Sequence, residues 1–252
     1  MDYLIVYSYI FIVGITFGSF FNVVGLRVPN NESIIKPRSA CPTCKHTLTP
    51  LELIPILSYL IQRGKCKNCD TKISAFYPMV ELMTGLLFMA TVYLSGWRVE
   101  TVIGLALVSL FMIIFVSDMK YMIIPDKVLA FFAVLFAIGR LIVPLNPWWD
   151  SILGAVVGFS VLLLIAVLSK GGMGGGDIKL FAVIGLVMGV KGVLLAFFFS
   201  CFAGAVTGIS LRIAGKAKKG NPIPFGPFIG IGTLIAYFWG EQLLQLYIQF
   251  IS

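Results

Sequence analysis

Two cysteine pairs, Cys41-Pro42-Thr43-Cys44 and Cys66-Lys67-Asn68-Cys69, stand with 21 residues between them. Each C-x2-C turn can present two thiolates, and two such turns complete a tetrahedral set for zinc, Zn(II). Four thiolates leave no open coordination position, so the metal would be a structural staple. Two structural disulfides are the rival reading, and the compartment of the loop decides between them. Lys45, Lys65 and Lys67 would help to stabilise thiolates. His46, the only histidine, follows Cys44 by two residues; it could replace a ligand but reads as an exposed loop imidazole, and Cys201 reads as a packed apolar side chain.

Carboxylates supply a second chemistry. Glu81, Asp118, Asp126 and Asp177 sit in or beside long apolar runs, where an ionisable group is costly and marks a functional site. Asp118 and Asp177 are separated by 59 positions and two apolar runs, which returns the chain to the same face. A pair of aspartates sharing one proton can activate a water, polarise a peptide carbonyl and protonate the leaving amine. The run from Gly171 to Gly176, broken only by Met173, leads into Asp177. Gly174, Gly175 and Gly176 lack Cβ atoms, so backbone there can approach an extended strand. Plainer roles exist. Asp177 could cap a helix, Asp126 after Pro125 reads mainly as such a cap, and Glu81 could pair with a basic residue of the cysteine loop. Paired carboxylates also serve as proton relays in transporters.

These residues need a scaffold, and the composition names its solvent. The chain has 252 residues, 59% apolar and 12% charged, with a mean hydropathy of +0.98. A soluble domain is about 45–50% apolar and about 25% charged. Soluble, fibrous, disordered and nucleic-acid-binding classes are thereby excluded. Apolar runs cover 3–26, 75–94, 99–117, 127–143, 151–168, 178–190, 192–211 and 225–239. Merging the sixth and seventh would give a helix of about 51 Å at 1.5 Å per residue, too long for a core of about 30 Å. Gly189, Lys191 and Gly192 are therefore read as a tight turn. The expectation is an all-α polytopic membrane protein with about eight transmembrane helices and a zinc-stapled cytoplasmic loop. The first run lacks a basic start and a small-residue cleavage site, and reads as a retained span. No internal repeat is visible.

Lysine and arginine set the orientation. Sixteen of the nineteen fall in loops on one side, including Lys36 to Lys72 and Arg212 to Lys219; Arg98, Arg140 and Lys191 fall on the other. The basic side is expected to be cytoplasmic, with both termini outside. A reducing compartment then favours metal over disulfides.

Together these features closely resemble the bacterial type IV prepilin peptidases. The resemblance runs through Gly18-Ser19-Phe20-Phe21-Asn22-Val23-Val24, Arg27-Val28-Pro29, both cysteine pairs and Glu52-Leu53-Ile54-Pro55. It continues at Asp118, Ile124-Pro125-Asp126, Gly174-Gly175-Gly176-Asp177-Ile178-Lys179 and Pro224-Phe225-Gly226-Pro227. It implies that Asp118 and Asp177 are the catalytic dyad. Gly174, Gly175, Gly176 and Lys179 would support the substrate or the backbone around it. It also implies removal of short basic leaders from prepilins or pseudopilins at the cytoplasmic side of the bacterial plasma membrane. Many members of that family also methylate the new N-terminus using S-adenosylmethionine, which makes Glu81 and Arg27 candidates for that role. On this reading residues 1–95 hold the cysteine loop and the methyltransferase part, and residues 96–252 the peptidase part. The expected partners are prepilins and the lipid bilayer, with no nucleic acid. A proton-coupled transporter and an intramembrane protease of the presenilin type are the alternatives.

Overall fold

A computed structural model describes residues 2–170, 172–215 and 223–251; Gly171 of the glycine run and Lys216, Lys218 and Lys219 of the basic connection lie outside them. The helices are α1 (Asp2–Arg27), α2 (Leu57–Ile61), α3 (Phe76–Ser95), α4 (Val99–Tyr121), α5 (Asp126–Ile142), α6 (Asp150–Leu168), α7 (Gly175–Ile213) and α8 (Gly226–Ile251). Among the described residues β pairing is limited to two isolated bridges, Ala40 with Thr47 and Lys65 with Lys72. Among the described residues five helices (α1, α3, α4, α6 and α7) are long and apolar enough to cross a membrane. Large apolar side chains such as Phe131, Leu141, Leu164 and Phe198 stand exposed along them and along α5. Water would penalise that arrangement and lipid would not. The helices group into two units, Met1–Val116 and Ser117–Ser252, with the divide inside α4.

In the first unit α1 packs on α3 through small residues. Gly14 and Gly18 form a G-x3-G step facing Gly85, Thr84 and Glu81. A Cβ on Gly14 would stand 2.7 Å from the Gly85 Cα, so the two backbones nearly touch. Apolar lipid offers helices no hydrophobic drive to associate, and close backbone approach supplies dispersion contact instead. Thr84 and Thr91 return their hydroxyls to the carbonyls of Val80 and Leu87, each at 2.7 Å, so neither hydroxyl is left bare.

The second unit is built around α7. Its backbone is helical from 175 to 213 except at Gly189, where φ is +70° and ψ −173°. Side-chain-bearing residues rarely adopt that conformation; glycine does so freely. The Phe181 and Phe197 rings lie 5.7 Å apart, whereas residues 16 apart on a straight helix would be separated by about 24 Å. So α7 folds back on itself at Gly189 into two antiparallel halves. The expected tight turn over Gly189, Lys191 and Gly192 is smaller than read, since Lys191 and Gly192 are helical. One residue makes the reversal because neighbouring side chains complete its hydrogen bonds. Arg140 at the end of α5 donates Nε–H to the Val187 carbonyl at 2.8 Å, and the Val190 N–H donates to the Asp150 carboxylate at 3.3 Å. A second glycine match clamps the hairpin to α6. Gly154 and Gly158 face Gly185, Gly189 and Phe181 at backbone contact. The last helix, α8, packs on α7 and runs to Ile251, twelve residues beyond the expected end at 239. Glu241, Gln242 and Gln245 end the apolar run but are good helix formers.

Candidate active site and metal centre

The cysteine segment holds a repeat that the residue identities conceal. In the first knuckle the Cys41 N–H donates to the His46 carbonyl, Lys45 to Cys41, and Leu48 to Ser39, each at 2.9 Å. In the second, Cys66 donates to Thr71, Asp70 to Cys66 and Ile73 to Gly64, at 2.8–3.0 Å. Every partner stands 25 positions after its counterpart, and Lys45 and Asp70 share a left-handed φ near 60° (60° and 54°). The expectation of no internal repeat is thus corrected. Hydrogen bonds of the main chain set the knuckle, so its other side chains were free to diverge.

The two knuckles bring all four sulphurs within 4.8 Å of one another. Cys41 and Cys69 lie 3.8 Å apart and Cys44 and Cys66 3.9 Å. Sulphurs bound at about 2.3 Å around a tetrahedral ion would stand about 3.8 Å from each other. A disulfide would need about 2.05 Å, and none of the five cysteines is in one. The set fits a metal ion. The N–H groups of Cys44 and Thr43 hold the Cys41 thiol down to about 6. Cys66 also accepts N–H groups, from Asn68 and Cys69, yet burial and its thiol neighbours carry it up to about 11. Four clustered thiols cannot all ionise without a cation among them. His46 is not a ligand: its Nε2 lies 3.2 Å from a Glu52 carboxylate oxygen. Glu52 closes a capping box with Thr49, whose backbone N–H and hydroxyl, helped by His46, hold its carboxyl down to about 2.

Glu81 is buried on α3, and its carboxylate accepts the Ile56 N–H at 2.8 Å; it pairs with loop backbone, not with a basic side chain. Ile56 has φ +61° within a γ-turn closed by Leu57 N–H on the Pro55 carbonyl. A β-branched residue there is strained, by about 1–3 kcal/mol. Arg27 ends α1 and donates to the Ser33 carbonyl at 3.0 Å. Arg27 and Glu81 line the same cavity.

In the second unit Asp118 lies inside the last turn of α4 and Asp177 in the first turn of α7. Both line one cavity of about 500 Å³, with Met122, Ile124, Gly172, Gly174, Gly176 and Phe225 around them. They are close enough for the charge of one to act on the other. Asp118 is buried and accepts the Gly226 N–H at 2.7 Å. Sequence reasoning gave Gly226 no role. The signal was its setting: Pro224 and Pro227 lack N–H groups, leaving Phe225 and Gly226 as the donors of that turn. Asp177 is not the N-cap residue, which is Gly174, but it stands in the first turn of α7, where a carboxylate favours that helix end. Gly174 and Gly176 line the cavity, and Gly175 faces open space. Nor is Asp126 a cap: it is the first residue of α5, and both its oxygens accept from Lys179 Nζ, at 2.7 and 2.8 Å.

Residues 12–95 match the bacterial peptidase A24 N-terminal domain, and residues 105–209 match the type IV leader peptidase family. A prepilin leader peptidase/N-methyltransferase of Bacillus subtilis is 47% identical over 242 residues, covering 96% of this chain and 98% of that protein. The chain belongs to the type IV leader peptidase family. A Pseudomonas aeruginosa relative of the same description is 32% identical over 99% of this chain and 98% of its own length. One from Neisseria gonorrhoeae is 34% identical, over 90% and 88%. No solved structure matches the chain. A transporter finds no support in these matches. Membership places the paired aspartates and the thiolate cluster in the two segments that the family matches cover, with Asp118 and Asp177 inside 105–209 and the cysteines inside 12–95.

Proposed function

We propose that the protein is a membrane aspartic endopeptidase that removes short basic leaders from prepilins or pseudopilins and methylates the N-terminus so exposed. The observation that carries the peptidase half is the convergence of Asp118 and Asp177 on one cavity at helix ends. One carboxylate takes a proton from water while the other, protonated, polarises the scissile carbonyl. The Gly226 N–H fixes the orientation of Asp118, which leaves its other oxygen for this chemistry. Gly174, Gly175 and Gly176 admit an extended substrate backbone beside Asp177, and Lys179 holds the segment through Asp126.

The thiolate cluster is read as a structural zinc site held by Cys41, Cys44, Cys66 and Cys69. S-adenosylmethionine supplies an activated methyl group when bound, and residues 1–95, with Glu81 and Arg27, are read as its part of the chain; residues 96–252 are the peptidase part. The bias of basic residues supports eight spans with the thiolate loop and both aspartates on the cytoplasmic side of the plasma membrane and both termini outside.

Purified protein incubated with a prepilin and followed by intact mass tests the reading. Asp118→Ala and Asp177→Ala should each slow leader removal by about 10³-fold or more while inserting normally. Cleavage at the native rate by folded Asp177→Ala would refute it.

A further inference from the structure

We propose that the cavity formed by α1, α3 and the cysteine segment is the S-adenosylmethionine site, with Asn22 and Glu52 as the acceptors that receive its donors; this rests on the methyl-transfer half of the reading above. The cavity measures about 300 Å³, within the range of small-molecule sites. Two buried acceptors in its wall have no partner among the described residues. Asn22 is 4% exposed; its Nδ2 donates to the Tyr77 carbonyl at 3.2 Å, while Oδ1 bonds to nothing. The Glu52 side chain is 7% exposed; Oε2 is taken by Thr49 and His46, while Oε1 bonds to nothing. Buried polar atoms are almost always satisfied, so two orphans in one cavity mark places for a ligand's donors.

The charge pattern narrows the ligand. Glu52 and Glu81 bring two carboxyl groups, Arg27 one guanidinium and Asn22 one carbonyl, among apolar wall residues such as Val23 and Leu53. That surface suits a zwitterion of net positive charge that carries several donors and an apolar ring. S-adenosylmethionine has a sulfonium, an ammonium, ribose hydroxyls, an adenine amine and one carboxylate. Its cations and donors match the acceptors, and its carboxylate matches Arg27. Backbone strain points to the same place: the left-handed Ile56 is pinned by the Glu81 carboxylate, and strain of this kind gathers at functional sites. Cys41 and Cys66 also line the cavity, so the metal knuckles form one of its walls.

The test is equilibrium binding of S-adenosylmethionine and of S-adenosylhomocysteine to the full-length protein in detergent, by titration calorimetry, with zinc content and Tm measured alongside. Wild type should bind saturably, and Glu52→Gln should weaken binding at least tenfold with zinc retained. Absence of binding by wild type overturns this proposal together with the methyl-transfer reading. Native affinity in both Glu52→Gln and Glu81→Gln overturns the cavity alone and leaves that reading standing. Should Glu52→Gln lose zinc, photolabelling of wild type with an azido-adenosyl analogue decides. Displaceable adducts on peptides spanning 19–27, 39–62 or 73–81 uphold the proposal; adducts elsewhere, or none, overturn it.

Discussion

The segment from residue 39 to 73 and the α6–α7 pair are both held by close approach, but of different atoms. In the first, the chain has short turns, few buried apolar side chains and two knuckles with matching hydrogen bonds whose four sulphurs converge. In the second, glycine steps bring main chain against main chain, and two side chains tend the peptide groups freed at Gly189. The loop is too short to build a core and is organised around a thiol set that fits a metal ion. The helix pair lies where lipid competes for every apolar contact, so it depends on backbone fit and on hydrogen-bonding the peptide groups freed at Gly189. Each region should therefore fail in its own way.

The largest contrast comes from Cys66→Ser. Metal content should fall from one zinc per chain to nearly none, and proteolysis at Lys65 and Lys67 should accelerate, while α6 and α7 keep their protection against hydrogen exchange. Loss of protection in both regions at once would remove the distinction. Gly154→Leu should act oppositely, costing at least about 1–3 kcal/mol through overpacking against the Gly185 backbone, with zinc bound as before; thermal melts with metal analysis would show it. Arg140→Met should leave the Val187 carbonyl without its Nε–H donor and cost about 1–3 kcal/mol. An unchanged Tm would mean the reversal holds itself. Lys179→Met is the mildest. Its pair with Asp126 is more than half exposed on both sides, so a double-mutant cycle should return about 0.5 kcal/mol or less, shrinking in high salt.

Much was legible before any coordinates, for reasons the same comparison exposes. Thiolates in C-x2-C pairs announce themselves because each turn is local, and aspartates in apolar runs stand out because charge is scarce there. Gly189 was visible as a break because an unbroken helix would overshoot the bilayer. Less legible was anything that depends on a partner far along the chain. The likeness of 39–48 to 64–73 is carried by main-chain hydrogen bonds inside each knuckle, which leave little trace in residue type outside the cysteines. The G-x3-G steps at 14–18, 154–158 and 185–189 were there to read, yet their mates could be known only from packing. Asp126 looked like a cap because proline precedes it, and a lysine 53 positions away claimed its carboxylate instead.

The sequence by itself determined the solvent, the helical class, the ligand set for a metal and the two aspartates, because hydropathy, thiol spacing and isolated charge are properties of single residues and short windows. The tertiary structure alone decided that Asp118 takes the Gly226 N–H, that α7 doubles back at Gly189 with help from Arg140 and Asp150, and that Asn22 and Glu52 turn unpaired acceptors into one cavity. Those outcomes join groups 40 to 108 positions apart, or leave side chains with free lone pairs that appear only after everything around them has packed. No window of sequence contains that information, since which polar atom remains unsatisfied is settled by all its neighbours at once.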